Sequence, residues 1–362
     1  MANSDTVRSA WPSKADRRGM TRNHLLWQRP ASVSGIRCGV TFTPRAAWAD
    51  TPEPVRTAVA EALGATIAGH TDLHGGMSPG PAAGLRLADG RQVFVKAVSA
   101  EVRAHNHTMI RQEAAILDAL PTSVPAPQRL ATVEHGDWIA LATTWAVGAT
   151  GKSWTDASIA AVATACRTAN GHLAPGTLPP VAQRIFDFDG WTRLLEIGTG
   201  DAWEAAHAGP AADLVAGWER WTAGDALVHR DIRLDNTTVD AQKRSAVLLD
   251  WAYAAAGAPW IDLAQLAADV VATGHTLGQP AATDRAYRLL RTLPPEASRF
   301  VVGLAGMWCI RAATIPDTVM PGISAWRHAR SAALRPLVTR LIADLRPDQP
   351  AGHTRRPRKS VG

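Results

Sequence analysis

The segment Leu227–Asn236, LVHRDIRLDN, places six charged or hydrogen-bonding side chains directly behind a short apolar start. It continues as TTVDAQKRSAVLLDW, in which the apolar runs 237–239 and 246–249 flank a polar turn and predict two short strands. Antiparallel pairing centred on Lys243 would place Asn236 opposite Asp250 at the open end of this hairpin. The sequence therefore predicts that an amide and a carboxylate side chain lie close enough to share one ligand.

These residue types favour a site that moves phosphate over a solvated loop. Amide and carboxylate oxygens are the hard ligands that Mg²⁺ prefers beside substrate phosphates, and Asn236 and Asp250 supply one of each. Asp231 lies on the loop just before them, where a carboxylate can accept the proton of an attacking hydroxyl. The three residues together predict a phosphoryl-transfer site.

A glycine-rich segment earlier in the chain, GGMSPGPAAGLRLADGRQVFVKAV (75–98), predicts a loop that leads into two antiparallel strands. Two apolar runs flank Asp89-Gly90, a dipeptide typical of tight hairpin turns. Lys96 lies within the second strand, among apolar neighbours. A lysine at such a position needs a partner of opposite charge.

The segment 107–121, HTMIRQEAAILDALP, has the spacing of an amphipathic helix. Glu113 falls on the apolar face of this helix, where a carboxylate is costly unless a cation meets it. We expect Lys96 to be that cation, which would bring the strand and the helix together. The other members of the apolar face are Met109, Ile116, Leu117 and Leu120.

The order of the predicted elements indicates an α+β protein with two lobes. Residues 1–50 mix Arg, Ser, Pro and Trp without periodicity and predict a flexible basic leader. Residues 51–147 form a strand-rich lobe, whereas 148–345 are mostly helical and rich in Ala. Within the helical lobe, Asp262 is expected to cap the helix that follows it. Residues 346–362 predict a disordered basic tail.

Composition excludes several classes of protein. With 362 residues, 46% of them hydrophobic and 19% charged, the chain is long and apolar enough to bury a substantial core. Its three cysteines are widely scattered and lack a CxxC pair, which argues against a disulfide framework or a zinc site. The most apolar stretch, 246–273, is interrupted by three aspartates, so no membrane span is expected. We expect a cytoplasmic protein that is a monomer or a homodimer.

The net charge of +6 is carried by the two ends of the chain. Residues 1–50 have a net charge of +5 and residues 346–362 of +4, which leaves −3 for residues 51–345. No basic surface with interleaved aromatic residues accompanies the tail, so a nucleic-acid partner is not expected. A protein that acts through its basic ends is a rival hypothesis, under which removal of residues 347–362 would abolish function.

The motifs together resemble a known group of enzymes. His229-x-Asp231 with Asn236, followed by an aspartate that ends an apolar strand, is similar to the catalytic loop and metal-binding aspartate of protein kinases. Only eleven residues separate Asp250 from Asp262, too few for the activation segment of a protein kinase. The match is closer to the aminoglycoside phosphotransferase family of small-molecule kinases, in which the second motif continues much as Asp250-Trp251, Gly257, Pro259 and Asp262-Leu263-Ala264.

This resemblance covers about residues 65–345 and implies a bilobal protein-kinase-like fold, with a small antiparallel-sheet lobe and a larger helical lobe. It implies that Asp231 is the catalytic base, or orients the acceptor hydroxyl, and that Arg233 steadies the negative charge that develops during transfer. Asn236 and Asp250 would hold Mg²⁺. His229 would brace the loop by hydrogen bonds.

The resemblance also implies a nucleotide site. Lys96, paired with Glu113, would bind the α- and β-phosphates, and a glycine-rich loop would cover them. ATP is the expected donor, and GTP stays open because the link residues 142–145 lack the acidic side chains of many relatives. A plain turn is the alternative role for the serine of the loop. The residues expected to cover the phosphates are Gly75, Gly76 and Ser78.

The expected acceptor is a hydroxyl of a small molecule. Residues 185–227 contain eight acidic residues and two arginines, and in the family this region helps to build the acceptor pocket. A negative wall would attract an amine, which favours an amino-sugar or an aminoglycoside, with antibiotic resistance as the role. A solvated helix face is the alternative for these carboxylates, and the arginines between 327 and 346 favour the opposite charge. A choline- or homoserine-kinase-like metabolic enzyme and a catalytically silent nucleotide-binding scaffold are the alternative functions.

Overall fold

The small lobe is a five-stranded antiparallel sheet. The computed structural model describes residues 45–74, 76–199, 201–317 and 320–345. The strands are β1 (Ile67–Asp72), β2 (Ala82–Leu87), β3 (Gln92–Ser99), β4 (Arg129–His135) and β5 (Trp138–Thr144). They lie in the order β1-β2-β3-β5-β4, and the predicted hairpin around Asp89-Gly90 joins β2 to β3. Gly90 has a φ of +88°, a left-handed conformation that this tight turn requires and that glycine adopts without strain.

One helix covers each face of the sheet, α1 (Glu53–Leu63) on one side and α2 (Ala100–Ala119) on the other. Side chains along β5 alternate between the two faces, as the pleat of a strand requires. Ala140 and Ala142 pack into the core beneath α1, whereas Ile139 packs into a core that α2 shares with the large lobe. Strand β5 thus connects the two lobes by packing as well as by chain continuity.

Helix α2 begins at Ala100, seven residues before the start that its apolar spacing predicted. The Ser99 hydroxyl caps the helix, because it accepts hydrogen bonds from the backbone amides of Glu101 and Val102. Residues 100–106 are exposed or only partly buried, so this first part of the helix has no apolar face for the spacing to detect.

Part of the predicted leader belongs to the folded protein. Of residues 1–50 the structure describes 45–50, and Trp48–Asp50 forms one turn of 3-10 helix. Trp48 is 2% exposed and packs with Val55 of α1, while its backbone amide donates to the Asp72 carboxylate over 2.8 Å. The prediction that the leader extends to residue 50 is therefore wrong at its C-terminal end. The remaining leader residues and the predicted tail, 346–362, lie outside the described residues.

The large lobe is built around a helix that is buried on all sides, α7 (Ile261–Thr273). The α+β class and the two lobes confirm the predicted fold. Across the described ranges, no helix is both long and apolar enough to cross a membrane. The other helices of this lobe are α3 (Asp156–Asn170), α4 (Gly190–Ile197), α5 (Ala202–Val215), α6 (Trp218–Trp221), α8 (Gln279–Leu290), α9 (Pro295–Thr314) and α10 (Ile323–Leu345).

Two short antiparallel strand pairs lie at the junction of the lobes. They are β6 (Ala226–Val228) with β9 (Ala255–Gly257), and β7 (Thr237–Asp240) with β8 (Ser245–Leu248). The second pair is the predicted hairpin, but its register is one residue away from the prediction. The Leu249 amide donates to the Asn236 carbonyl over 2.8 Å, so Asn236 lies opposite Leu249 rather than Asp250. The turn has an even number of residues, 241–244, so the pairing cannot be centred on a single residue such as Lys243.

Replacing Trp48 with alanine tests whether residues 45–50 are part of the core. We expect Trp48→Ala to lower the free energy of unfolding by about 3–5 kcal/mol, because it leaves a cavity beneath α1. Urea unfolding measures this change. Leu277→Ala, at a side chain that is 68% exposed, is the control and should change the stability by about 0.5 kcal/mol or less. Equal stability of the Trp48 variant and the wild type would show that the segment does not contribute to folding.

Candidate active site

The loop 229–236 follows β6 and is braced by its first residue. His229 Nε2 lies 2.8 Å from the Leu249 carbonyl, and its Nδ1 lies 3.2 Å from the Asp231 amide. Because a carbonyl only accepts, Nε2 donates and Nδ1 accepts in this arrangement. The ring also meets Trp251 edge-on, with 4.6 Å between the ring centroids. His229 therefore holds Asp231 and the strand end before Asp250 in one arrangement, the bracing role predicted for it.

Asp262 supports the loop instead of capping helix α7, and the prediction of a cap is wrong. Its carboxylate is fully buried and accepts hydrogen bonds from the backbone amides of His229 (2.8 Å) and Arg230 (2.9 Å). The Asn170 side-chain amide donates to the same carboxylate over 2.7 Å. Arg230 has a φ of +72°, and these bonds hold its strained backbone in place.

Two more polar side chains of α7 continue this support. Gln265 Nε2 donates to the Arg230 carbonyl over 2.7 Å. Asp269 accepts from the Leu234 amide and from the Trp154 indole, each over 2.9 Å. Together with Asp262, these residues follow the i, i+3, i+7 spacing of one helix face. Polar residues at that spacing in an otherwise apolar helix were the sequence signal that could have identified the support.

Helix α10 holds Asp269 in place through an ion pair. The Asp269 carboxylate forms this buried ion pair with Arg330 of α10. The Arg330 guanidinium lies between two indole rings, 4.5 Å from the centroid of Trp308 and 4.7 Å from that of Trp326. This stacking replaces part of the hydration that a buried guanidinium loses. The loop is thus anchored by α7 and, through it, by α10.

Asp231 lies in a hydrogen-bonded cluster with two other predicted site residues. Asn236 Nδ2 donates to Asp231 Oδ2 over 2.8 Å, and Arg233 Nη1 lies 3.3 Å from the same oxygen. Arg233 also binds the Asp235 carboxylate through two nitrogens. Burial raises the pKa of Asp231 above its ordinary value, Arg233 opposes this, and the charge of Asp250 adds to it. A carboxylate with a raised pKa is a stronger base than an exposed aspartate.

Lys96 connects the lobes through two carboxylates. Its ammonium forms ion pairs with Glu113 of α2 and with Asp250, whose Oδ1 lies 3.1 Å away, so the predicted Lys96–Glu113 pair is present. Burial acts to lower the pKa of Lys96, but the two carboxylates outweigh it and raise that pKa. Burial raises the pKa of Glu113 to about 7. Burial also acts to raise the pKa of Asp250, but Lys96 outweighs it and holds that pKa well below its ordinary value.

The glycine-rich loop connects β1 to β2. Gly76 and Ser78 lie in this connection, whereas Gly75 lies outside the described residues. Gly76 has a φ of +73°, and a Cβ at this position would lie 2.7 Å from Arg45 Nη2. The left-handed backbone conformation therefore favours glycine at residue 76, whereas the flexible end of the Arg45 side chain could move away from a Cβ.

Arg45 is a cation near the site that sequence reasoning missed. Its Nη1 donates to the Gly80 carbonyl over 3.1 Å, so it lies against the loop that is expected to cover the phosphates. Burial lowers the pKa of Arg45, and the charges of Asp250 and Asp235 oppose this, so these carboxylates are within electrostatic reach. The sequence offered no signal for this contact, because Arg45 lies in a segment without periodicity.

Asn236 and Asp250 present oxygens of the kind that Mg²⁺ takes. The Asn236 amide nitrogen donates hydrogen bonds to Asp231, which leaves the amide oxygen, Oδ1, as the atom that could bind a metal ion. This oxygen lies 3.3 Å from Arg233 Nη2. Within the described residues, no group of three or more His, Cys, Asp or Glu side chains could hold a metal ion alone. The donor set therefore fits a Mg²⁺ ion whose coordination is completed by substrate phosphates and water.

The sequence of the chain matches a known protein family. A model described as the phosphotransferase enzyme family (APH) matches residues 84–298, more than half of the chain. The chain belongs to this family. The matched range of this phosphotransferase contains Lys96, Glu113, the loop 229–236 and Asp250. No curated protein sequence matches the chain significantly.

Solved structures of small-molecule kinases are similar to this phosphotransferase. A choline kinase from Streptococcus pneumoniae has a TM-score of 0.50 at 12% identity, covering 81% of this chain and 98% of its own. A spectinomycin phosphotransferase in complex with ADP and spectinomycin has a TM-score of 0.47 at 12% identity, with coverages of 79% and 96%. An aminoglycoside-3'-phosphotransferase of type VIII has a TM-score of 0.45 at 18% identity, with coverages of 71% and 100%. At 12% identity, the likeness to the choline kinase concerns the fold alone.

The acidic stretch 185–227 of this phosphotransferase is partly neutralised by arginines. Asp187 binds Arg193 and Arg311, and Arg335 of α10 binds both Asp201 and Glu204. Three of the eight carboxylates counted in the sequence are therefore already paired within the lobe. The net charge of the stretch does not by itself favour an amine as the acceptor.

Replacing Asp262 with asparagine tests the support from α7. We expect Asp262→Asn to lower the free energy of unfolding by about 1–3 kcal/mol, because the amide cannot accept all three buried hydrogen bonds. Urea unfolding gives this value. Asp225→Asn, at an exposed carboxylate, is the matched control and should leave the stability unchanged. If both variants were equally stable, the loop would not depend on Asp262.

Proposed function

We propose that this phosphotransferase moves the γ-phosphoryl group of ATP to a hydroxyl of a small molecule. The observation that carries the proposal is the cluster at the junction of the lobes. There, a partly buried lysine contacts the predicted metal-binding aspartate, and a partly buried aspartate with a raised pKa is within electrostatic reach of it. Phosphoryl transfer requires a cation, oxygen atoms that can bind a metal ion, and a base, because its catalysis is mostly positioning and neutralisation of charge.

Lys96 is the proposed ligand of the donor phosphates. Its raised pKa keeps it charged, and Glu113 holds the ammonium at the edge of the cleft. The loop with Gly76 and Ser78 is proposed to cover the phosphates, with Arg45 beside it. Asn236 and Asp250 would hold Mg²⁺, which when bound neutralises charge on the phosphate oxygens.

Asp231 is the proposed base. The acceptor hydroxyl donates its proton to the Asp231 carboxylate while its oxygen attacks the γ-phosphorus, and the bond from that phosphorus to the β–γ bridging oxygen breaks to release ADP. Asn236 fixes the carboxylate by donating to Oδ2 over 2.8 Å. Arg233, 3.3 Å from the same oxygen, would steady the negative charge on the transferred group.

Asp231→Asn tests the role of the base. We expect turnover to fall by about 10²–10⁴-fold, because the amide cannot accept the proton. ATP binding in the presence of Mg²⁺ should stay within about threefold of the wild type. Coupled assays of ADP or GDP release measure turnover with ATP or GTP as donor, respectively, across pooled amino-sugars, aminoglycosides, choline-like alcohols and hydroxy acids. Full activity of the variant would refute the role of Asp231, and nucleotide binding without turnover in any pool would favour a silent scaffold.

Arg233→Gln tests the electrostatics of the base. Burial raises the pKa of Asp231 and Arg233 lowers it, so removing the guanidinium should raise this pKa further. Activity requires the deprotonated carboxylate, so the acid limb of the kcat/KM profile should move to higher pH in the variant. The control is Arg291→Gln, at an exposed arginine after α8, which should leave the limb in place. A shift to lower pH in Arg233→Gln would contradict the assignment.

A further inference from the structure

A group of arginines that has no part in the proposed transfer lies next to Asp231. The group comes from four separate segments of the large lobe, and three carboxylates from outside the loop act as its counter-charges, Asp187, Asp262 and Asp317. We call it the arginine cluster. Its members are Arg184, Arg230, Arg311 and Arg327.

Arg230 is the best-defined member of the cluster. It is 9% exposed. Its backbone amide donates to Asp262 and its carbonyl accepts from Gln265 Nε2, and these bonds fix the direction in which its side chain leaves the loop. One terminal nitrogen donates to the Arg184 carbonyl over 3.2 Å. Its Nε is buried and has no hydrogen-bond partner in the described part of the chain. A buried guanidinium with an unused donor is costly unless something else binds it.

Two other arginines of the cluster also have an unused hydrogen-bond donor. Arg184 Nε and Arg327 Nη1 are also buried and have no hydrogen-bond partner among the residues that the structure describes. Arg311 is better satisfied, because it binds the Asp187 carboxylate and the Phe186 carbonyl. Three members of the cluster therefore have donor nitrogens to offer.

The charges around the arginine cluster add to the free-energy cost of burying its guanidinium groups. Burial lowers the pKa of Arg230 to about 10, although Asp231 and Asp262 oppose this. The like charge of Arg311 contributes to the lowering. Burial and Arg311 act in the same way on Arg327, whose pKa is also lowered to about 10. Buried groups with perturbed pKa values cluster at functional sites.

The cluster is within electrostatic reach of the proposed base. The charge of Asp231 acts on Arg230 and opposes the lowering of its pKa. Tyr253 is 37% exposed, and the charges of both Asp231 and Arg230 act on its pKa. The charge of Tyr253 in turn acts on the pKa of Arg184. A molecule whose hydroxyl reaches Asp231 therefore has the arginine cluster close to its other groups.

We propose that the acceptor carries an anionic group, a carboxylate or a phosphate, which the arginine cluster binds beside Asp231. This inference rests on the proposed function, because it gives a chemical class to the acceptor of the same site. Guanidinium groups bind both kinds of oxyanion through charge-assisted hydrogen bonds, and the unused nitrogens supply the donors. The acceptor is then a hydroxy acid or a phosphorylated alcohol rather than an amine.

The test measures binding of inorganic sulfate to the full chain by titration calorimetry, at constant ionic strength, with Mg²⁺ and AMP-PNP saturating the nucleotide site. We expect sulfate to bind the wild type and to bind Arg327→Gln and Arg184→Gln at least about tenfold more weakly. Arg291→Gln is the matched control and should bind sulfate like the wild type. Without sulfate, urea unfolding should show that both cluster variants are as stable as the wild type or more stable, because each loses a destabilising charge.

Sulfate binding no stronger than chloride binding, or equal sulfate binding by all variants, would overturn the inference. Failure of AMP-PNP to bind would instead refute the proposed function, and the cluster variants would still decide the anion site. Turnover with glycerate and with glycerol 3-phosphate separates a carboxylate from a phosphate as the anionic group. Glycerol, choline and kanamycin are the neutral and cationic comparisons, and turnover with these alone would also overturn the inference.

Discussion

Most of the loop 229–236 is buried, and its buried amides must find acceptors inside the protein. Helix α7 supplies them, because Asp262 and Asp269 lie on one face of a helix that is buried all round. A buried carboxylate that accepts several backbone hydrogen bonds is held in one geometry, and so is the loop that donates them. The position of Asp231 therefore depends on α7, and through Asp269 on Arg330 of α10.

The two sides of the proposed site differ in how their charges are balanced. Lys96 is paired with two carboxylates, an arrangement that keeps it charged and in place before any ligand arrives. The arginine cluster has carboxylates around it, but three of its four members still have a buried nitrogen without a hydrogen-bond partner among the described residues. A cation that is already held in place suits the phosphates of the nucleotide, which bind in every turnover. Unused guanidinium donors suit an anion that is present only when the acceptor is bound.

Much of the fold and the Lys96–Glu113 pair could be predicted from local patterns. A charge within an apolar strand and another on an apolar helix face each require a partner, and the need is visible without coordinates. The register of the β7–β8 hairpin was wrong by one residue, because turn length decides pairing and apolar runs do not define it. The role of Asp262 was also missed, since a carboxylate early in a helix has the same sequence signature whether it caps that helix or binds another loop.

The sequence by itself determined the two lobes, the order of the motifs and the residue types that phosphoryl transfer requires, because these follow from periodicity and spacing along the chain. Only the tertiary structure decided which side chains meet across long separations. Trp48 and Arg45 joined the small lobe from a segment without periodicity. Arg184, Arg230, Arg311 and Arg327 converged from four segments of the large lobe. Such contacts depend on how helices pack and where loops turn, and neither is encoded in the spacing of nearby residues.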